Sequence, residues 1–265
     1  MNIAPALLEP LWSDIEAWLA AWPRVIGMFA IFPLFRREIL PGILRMGLVA
    51  ALCLPLVPVL KAQPMLFQAD ALTLALLIVK EVAVGFAFGL PLAMTFWIVE
   101  GIGTLLDNQS GSLISSVLNP MSGNDAATLG LFLHQTFMIY FLITGGLSWC
   151  LGSLYHSYEL WQVQEFWPHL PQTGIDWWLA QFGYYIRTMT VLAAPIVLAL
   201  FFVELGFGII GRFAQKMQVF VLAMPIKNVC AIAMLLLYMA VLFSQYDLLM
   251  ANLKDSFAQT IRALR

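Results

Sequence analysis

The sequence predicts an all-α, membrane-associated fold: about six apolar, kinked helical segments arranged as helical hairpins. Three observations predict it. Of the 265 residues, 62% are hydrophobic and only 11% are charged, against about 25% charged in a soluble domain. Mean hydropathy is +0.87. The apolar residues come in long runs interrupted by proline, as at Pro23, Pro55, Pro91, Pro195 and Pro225. Such a chain is an integral membrane protein or a subunit wrapped by other apolar subunits. The net charge of −2 gives no support for nucleic-acid binding.

In chain order, the acidic start carries Glu9, Asp14 and Glu16, with Trp12, Trp18 and Trp22 placed for an interfacial entry. The first basic residue is Arg24, so no cleavable signal peptide is expected. The first apolar segment covers about 15–35 and ends at Arg36-Arg37-Glu38. The second covers 43–60, broken late by Pro55 and Pro58. The third covers 71–99 and holds Lys80-Glu81, a pair that must face protein or water. Its Gly85 and Gly89 permit close helix contact, and Pro91 should kink it. The fourth covers 126–151. Residues 152–181, rich in tryptophan and proline, read as an interfacial loop. The fifth covers 182–203, with Arg187 and Pro195 inside, and a polar stretch follows to Gln218. The sixth covers 219–243, and a polar helical tail fills 244–265.

One domain is expected over 1–265, with two related hairpin units at about 71–151 and 182–243. The offsets Pro91 to Pro195, Glu100 to Glu204 and Pro120 to Pro225 are 104, 104 and 105 residues. Shared apolar composition is the competing explanation.

The polar interruption runs from Glu100 to Asp125: three acids, no Lys or Arg, and glycines at 101, 103, 111 and 123. Asp107-Asn108-Gln109 is a tight polar cluster, and Asn119-Pro120 marks a turn. Ser110 to Leu118 is too short to span a bilayer. At membrane depth, irregular backbone survives only when protein buries it or it lines a watery cavity. The run is therefore an ordinary solvated loop or a constriction element.

Catalytic signatures are missing. Cys53, Cys150 and Cys230 stand alone in apolar segments and read as buried thiols. His134 reads as a core histidine. No HExxH, GxSxG or phosphate loop occurs. No enzyme activity, metal or cofactor is expected.

Leu106-Asp107-Asn108-Gln109, a glycine two residues on and Leu118-Asn119-Pro120 resemble the T subunit of type III secretion export gates, the injectisome counterpart of flagellar FliR. A second block, Gln215 to Phe220 through Met224-Pro225-Ile226-Lys227, resembles the same family. The resemblance covers about 36–227, and Ser110 stands where many relatives carry a basic residue. It implies kinked hairpins of several subunits joined in a helical pore. Partners would be R, S and U subunits (FliP-, FliQ- and FlhB-like), the V subunit and unfolded proteins in transit. The location would be the bacterial inner membrane, with energy supplied from outside this chain. It also implies a plug loop made of Ser110, Gly111, Ser112, Leu113, Ile114, Ser115, Ser116, Val117, Leu118 and Asn119. Asp107, Asn108, Gln109 and Pro120 would brace it.

Lys80, Glu81, Glu100, Glu204, Arg212 and Lys227 lie at helix depth and are expected at subunit interfaces or in the pore. Gln215, Gln218 and Pro225 join them from the second block. Snorkelling at helix ends is the plain alternative. Lys80-Glu81 and Lys227 are expected to pair with protein groups. Basic residues Arg36, Arg37 and Arg45 place the first loop in the cytoplasm. Simple alternation then puts the acidic run there and the basic tail opposite, a mild conflict that favours helices packed on protein. Three functions follow: an export-gate subunit, its flagellar FliR equivalent, or a secondary transporter using Glu100, Glu204 and Lys80. A membrane enzyme lacks any paired acid, Ser/His or metal set.

Overall fold

The computed structural model describes residues 3–36, 39–61, 70–111, 127–165, 172–213 and 219–263. Every regular element among them is helical: α1 (Ile3–Ile31), α2 (Gly42–Cys53), α3 (Val57–Lys61), α4 (Ala71–Ser110), α5 (Thr128–Ile143), α6 (Gly146–Leu160), α7 (Gln172–Phe213) and α8 (Val219–Ala263). Four stretches are long and apolar enough to cross a membrane: Gly42–Lys61, Ala71–Ser110, Trp178–Phe213 and Ala223–Phe257. Counting α5 and α6 as one broken span makes five. The chain is a multi-pass membrane protein.

Several expected boundaries change. Helix α1 forms over the first expected segment, but Asp14, Glu16 and Arg24 interrupt its apolar character, so it is not among the spans. The fourth run breaks at Thr144–Gly145, where Gly145 takes φ +75°. The expected loop 152–181 is helical to Leu160 and again from Gln172. Helix α4 passes through Glu100, Gly101 and Gly103 and ends only at Ser110. Helix α7 likewise passes through Glu204 to Phe213. The tail is the end of α8, not a separate helix, and it buries Leu253 and Phe257.

The chain divides into two compact units: residues 1–93, 145–178 and 253–265, and residues 94–144 and 179–252. In the first, α1 and α4 cross at glycines. A methyl added at Gly27 would strike the Val82 carbonyl oxygen, and one at Gly85 the Arg24 carbonyl oxygen. At Gly89 it would lie 2.9 Å from the Met28 oxygen. The Gly85/Gly89 pair is thus the close-contact surface its spacing predicts.

The same unit shows how a proline break is sealed. Leu54–Leu56 is a tight 3-10 turn around Pro55, and the Leu54 N–H bonds Ala51 in place of the helical partner Ala50. Carbonyls freed this way are costly away from water. The Trp18 indole donates to the Ala50 oxygen at 2.9 Å, and the Tyr155 hydroxyl to the Leu52 oxygen at 3.1 Å. Phe257 closes the unit against Trp149, ring centroids 4.8 Å apart.

In the second unit, Phe96 of α4 packs edge-on against Phe137 and Phe141 of α5, with centroids 4.9 and 5.3 Å apart. Phe137 meets Tyr246 of α8 at 5.0 Å. Gly103 and Gly130 let α4 and α5 touch backbone to backbone.

Candidate functional site

Two polar constellations interrupt the apolar packing, one in each unit. The first is a buried charge cluster. Arg24 is fully buried, and its Nε and Nη2 donate to the two oxygens of Glu81 at 2.7 and 3.0 Å. Nη1 donates to the Ser157 carbonyl at 2.7 Å, and Nη2 also to the Trp161 carbonyl at 2.9 Å. The guanidinium lies over the Tyr158 ring, 4.1 Å from its centroid. Lys80 Nζ completes the cluster, 2.6 Å from Glu81 Oε1. It also donates to the carbonyls of Val163 at 2.7 Å and Glu165 at 3.1 Å.

Two cations thus share one carboxylate. The surplus positive charge rests on carbonyls at and beyond the C-terminal end of α6, where the helix dipole is negative. An unpaired charge at this depth would be costly, whereas a fully bonded one is tolerated. Lys80 and Glu81 spend their bonds inside the chain. Arg24, the residue that satisfies Glu81, was not among the expected site residues. Its one signal is an arginine inside an apolar helix.

The second constellation is the polar tip of the other unit. Asp107, 1% exposed, accepts from the backbone N–H of Leu129 at 2.8 Å and of Gly130 at 3.1 Å. Ala127, at the helix N-cap, has no side chain to cap α5. The carboxylate of the preceding helix does so instead, across 22 residues. Ser110 is buried and donates to the Asp107 carbonyl at 3.1 Å. Gly111 ends α4 at φ +81°, a left-handed shape that glycine adopts without penalty. Asp107 therefore ties the end of α4 to the start of α5, its carbonyl taking the Ser110 hydroxyl and its carboxylate capping α5.

Two glutamates pair with a base on the next helix of the unit. Glu100 Oε2 lies 3.1 Å from His134 Nδ1, close but outside hydrogen-bonding angles. Lys227 Nζ donates to Glu204 Oε2 at 3.2 Å. A cavity of about 450 Å³ opens beside this second pair, with Asn108, Gln109, Gly111, Glu204, Gly208 and Lys227 in its wall. The structure thus brings Asn108-Gln109 and Glu204–Lys227 together. Arg212 is exposed in the last turn of α7, and Pro225 is exposed inside α8. Ser112 to Asn119, Pro120, Gln215 and Gln218 lie outside the described residues. Among the described residues, no group of three or more His, Cys, Asp or Glu is placed to hold a metal ion.

The family model described as bacterial export proteins, family 1, matches residues 15–253. The chain is 36% identical over 243 residues to the Yop proteins translocation protein T of Yersinia pestis, covering 91% of this chain and 93% of that one. It is 30% identical to the surface presentation of antigens protein SpaR of Salmonella typhimurium, over 81% and 80% of the two chains. It is 26% identical to the flagellar biosynthetic protein FliR of Bacillus subtilis, over 94% and 93%.

Proposed function

The chain belongs to family 1 of the bacterial export proteins, and from that membership we propose that it is the T-type, pore-forming subunit of a type III protein-secretion export gate. In this role it helps unfolded proteins cross the bacterial inner membrane. The observation that carries the reading is the near full-length similarity to a Yop translocation protein. Its partners in this reading are R, S and U subunits and the V subunit. The work is structural, through helices and a loop rather than catalysis.

The plug reading of 110–119 draws support from the polar tip. Asp107 ties the end of α4 to the start of α5, so the entry and exit of 112–126 are held close to one another. A pore wide enough for an unfolded chain also passes ions. A small, apolar constriction without Lys or Arg blocks it by dewetting.

Two measurements test this. Chain-tagged complexes purified from membranes should contain the R and S subunits; their absence would end the gate reading. Deleting 113–117 should leave that recovery intact while small solutes enter the cells. A tight membrane would make the loop an ordinary connector. The flagellar alternative is favoured by the FliR similarity. It predicts that loss of the gene abolishes motility rather than secretion.

A further inference from the structure

Helices α4 and α5 lie antiparallel and are clasped at two polar points. Asp107 meets Leu129 and Gly130, Glu100 meets His134, and Phe96 meets Phe137 and Phe141. The Asp107 clasp has its hydrogen bonds made. The clasp at Glu100 lacks one on the histidine side.

The His134 side chain is 3% exposed, and neither ring nitrogen has a hydrogen-bond partner among the described residues. A neutral imidazole carries one N–H donor and one bare acceptor, and leaving both unmet in a buried site is costly. Glu100 Oε2 stands 3.1 Å from Nδ1, and the Glu100 side chain is 32% exposed. The Phe96 ring backs the imidazole, with ring centroids 5.6 Å apart. The glutamate thus reaches from the protein surface into a dry aromatic pocket and ends at the imidazole nitrogen.

One proton changes the balance of this pair. Neutral His134 beside ionised Glu100 gives the pair one net negative charge, poorly tolerated at helix depth. A proton taken from water converts it to imidazolium and carboxylate, neutral overall and joined by a charge-assisted hydrogen bond. The proton enters at Glu100, the more exposed member, and comes to rest on Nδ1. No other bond forms or breaks. Rotation of the ring aligns Nδ1–H with Oε2, which already stands within bonding distance.

The titratable neighbours come from each packed helix. On α4 itself, Asp107 is committed to the α5 cap. On α7, Tyr185 faces Glu100, and a phenol is neutral near pH 7. On α8, Tyr246 packs on Phe137, and Asp247 accepts from the Tyr140 hydroxyl of α5.

We propose that Glu100 and His134 form a binding site for a single proton, whose occupancy fastens α5 to α4 beside the Gly103–Gly130 contact. Thr104, one turn on, donates its hydroxyl to the Glu100 carbonyl, and that carbonyl faces Gly130. A change at the pair therefore reaches the backbone seam directly. The site does not depend on the export-gate reading.

The test uses the full chain reconstituted in lipid bilayers with isotope-labelled histidine, read by solid-state NMR. The chain has three histidines, and His134→Gln identifies the ring signals of position 134. Exposed His156 shows that the sample responds to pH. From about pH 8 to 5, the range in which histidine changes charge, His134 should pass from one ring N–H to two. In Glu100→Gln it should keep one throughout while His156 still titrates, because an amide cannot balance a buried imidazolium. A second measurement needs no variant. The new Nδ1–H proton should give a cross peak to a labelled glutamate carboxylate carbon. A wild-type His134 that keeps one N–H, the same titration in Glu100→Gln, or no cross peak would overturn the proposal. None of these outcomes touches the recovery of R and S subunits, so the site and the gate stand or fall separately.

Discussion

Arg24 and Glu81 meet through two parallel hydrogen bonds in the buried part of a membrane protein, 57 residues apart in sequence. Neither group has water to fall back on. Removing one partner leaves the other charge buried and unpaired, at about 3–5 kcal/mol. Arg24→Met should therefore unfold the first unit or sharply lower the melting temperature in detergent. Arg24→Lys should recover only part, because an ammonium cannot make the forked contact. A melting temperature unchanged in Arg24→Met would show that the cluster is not a fold determinant.

Asp107→Ala should loosen the start of α5. Loss of a capping carboxylate costs about 1 kcal/mol. Hydrogen exchange should accelerate several-fold at the amides of Leu129 and Gly130, with little change at Phe137. Equal protection in both proteins would remove the cap from the account.

The glycines divide by their neighbours. Gly85→Ala places a methyl on the Arg24 carbonyl oxygen and should destabilise by about 1–3 kcal/mol through overpacking. Gly152 has nothing within 4 Å. Gly152→Ala should therefore stabilise by up to about 1 kcal/mol through helix propensity. Thermal melts of the two variants should move in opposite directions.

Lys227→Met should hardly change the melting of the isolated chain. Glu204 is 54% exposed, and pairs of this kind contribute about 0–1 kcal/mol. Under the export-gate reading, recovery with R and S subunits should nonetheless fall. A large loss of chain stability instead would make the pair internal scaffolding.

Tyr155→Phe and Trp18→Phe should each cost about 1 kcal/mol. Each leaves a carbonyl freed by the Pro55 turn without its donor. Replacing Pro55 by alanine should make the two losses smaller, since the helix can then use those carbonyls itself. Double-variant melting curves check this coupling.

The apolar runs and the proline break at Pro55 were legible because both are local. So was the need of Lys80-Glu81 for cover. Arg24 was not assignable as that cover, since contact across 57 residues leaves no pattern in the chain. Glu100, Gly101 and Gly103 looked like the end of a helix. They lie inside α4 because those glycines sit against Met189 and Gly130, a packing reason that composition does not separate from a turn. Gly145-Gly146 was the reverse. It is a break hidden in an apolar run, and the paired glycines were its only mark. The cap from Asp107 to α5 was invisible for the same reason as Arg24: its donors are backbone groups of a distant segment.

Lys80 holds the turn after α6 through carbonyl oxygens, groups that nearly every amino acid supplies alike. The ammonium therefore recognises the route of the chain and is blind to its spelling. Exposed Gln162 and Glu165 can drift to other side chains without loosening the turn, whereas position 80 has no such latitude. The turn can thus change its outward chemistry, residue by residue, while the scaffold beneath it keeps one shape.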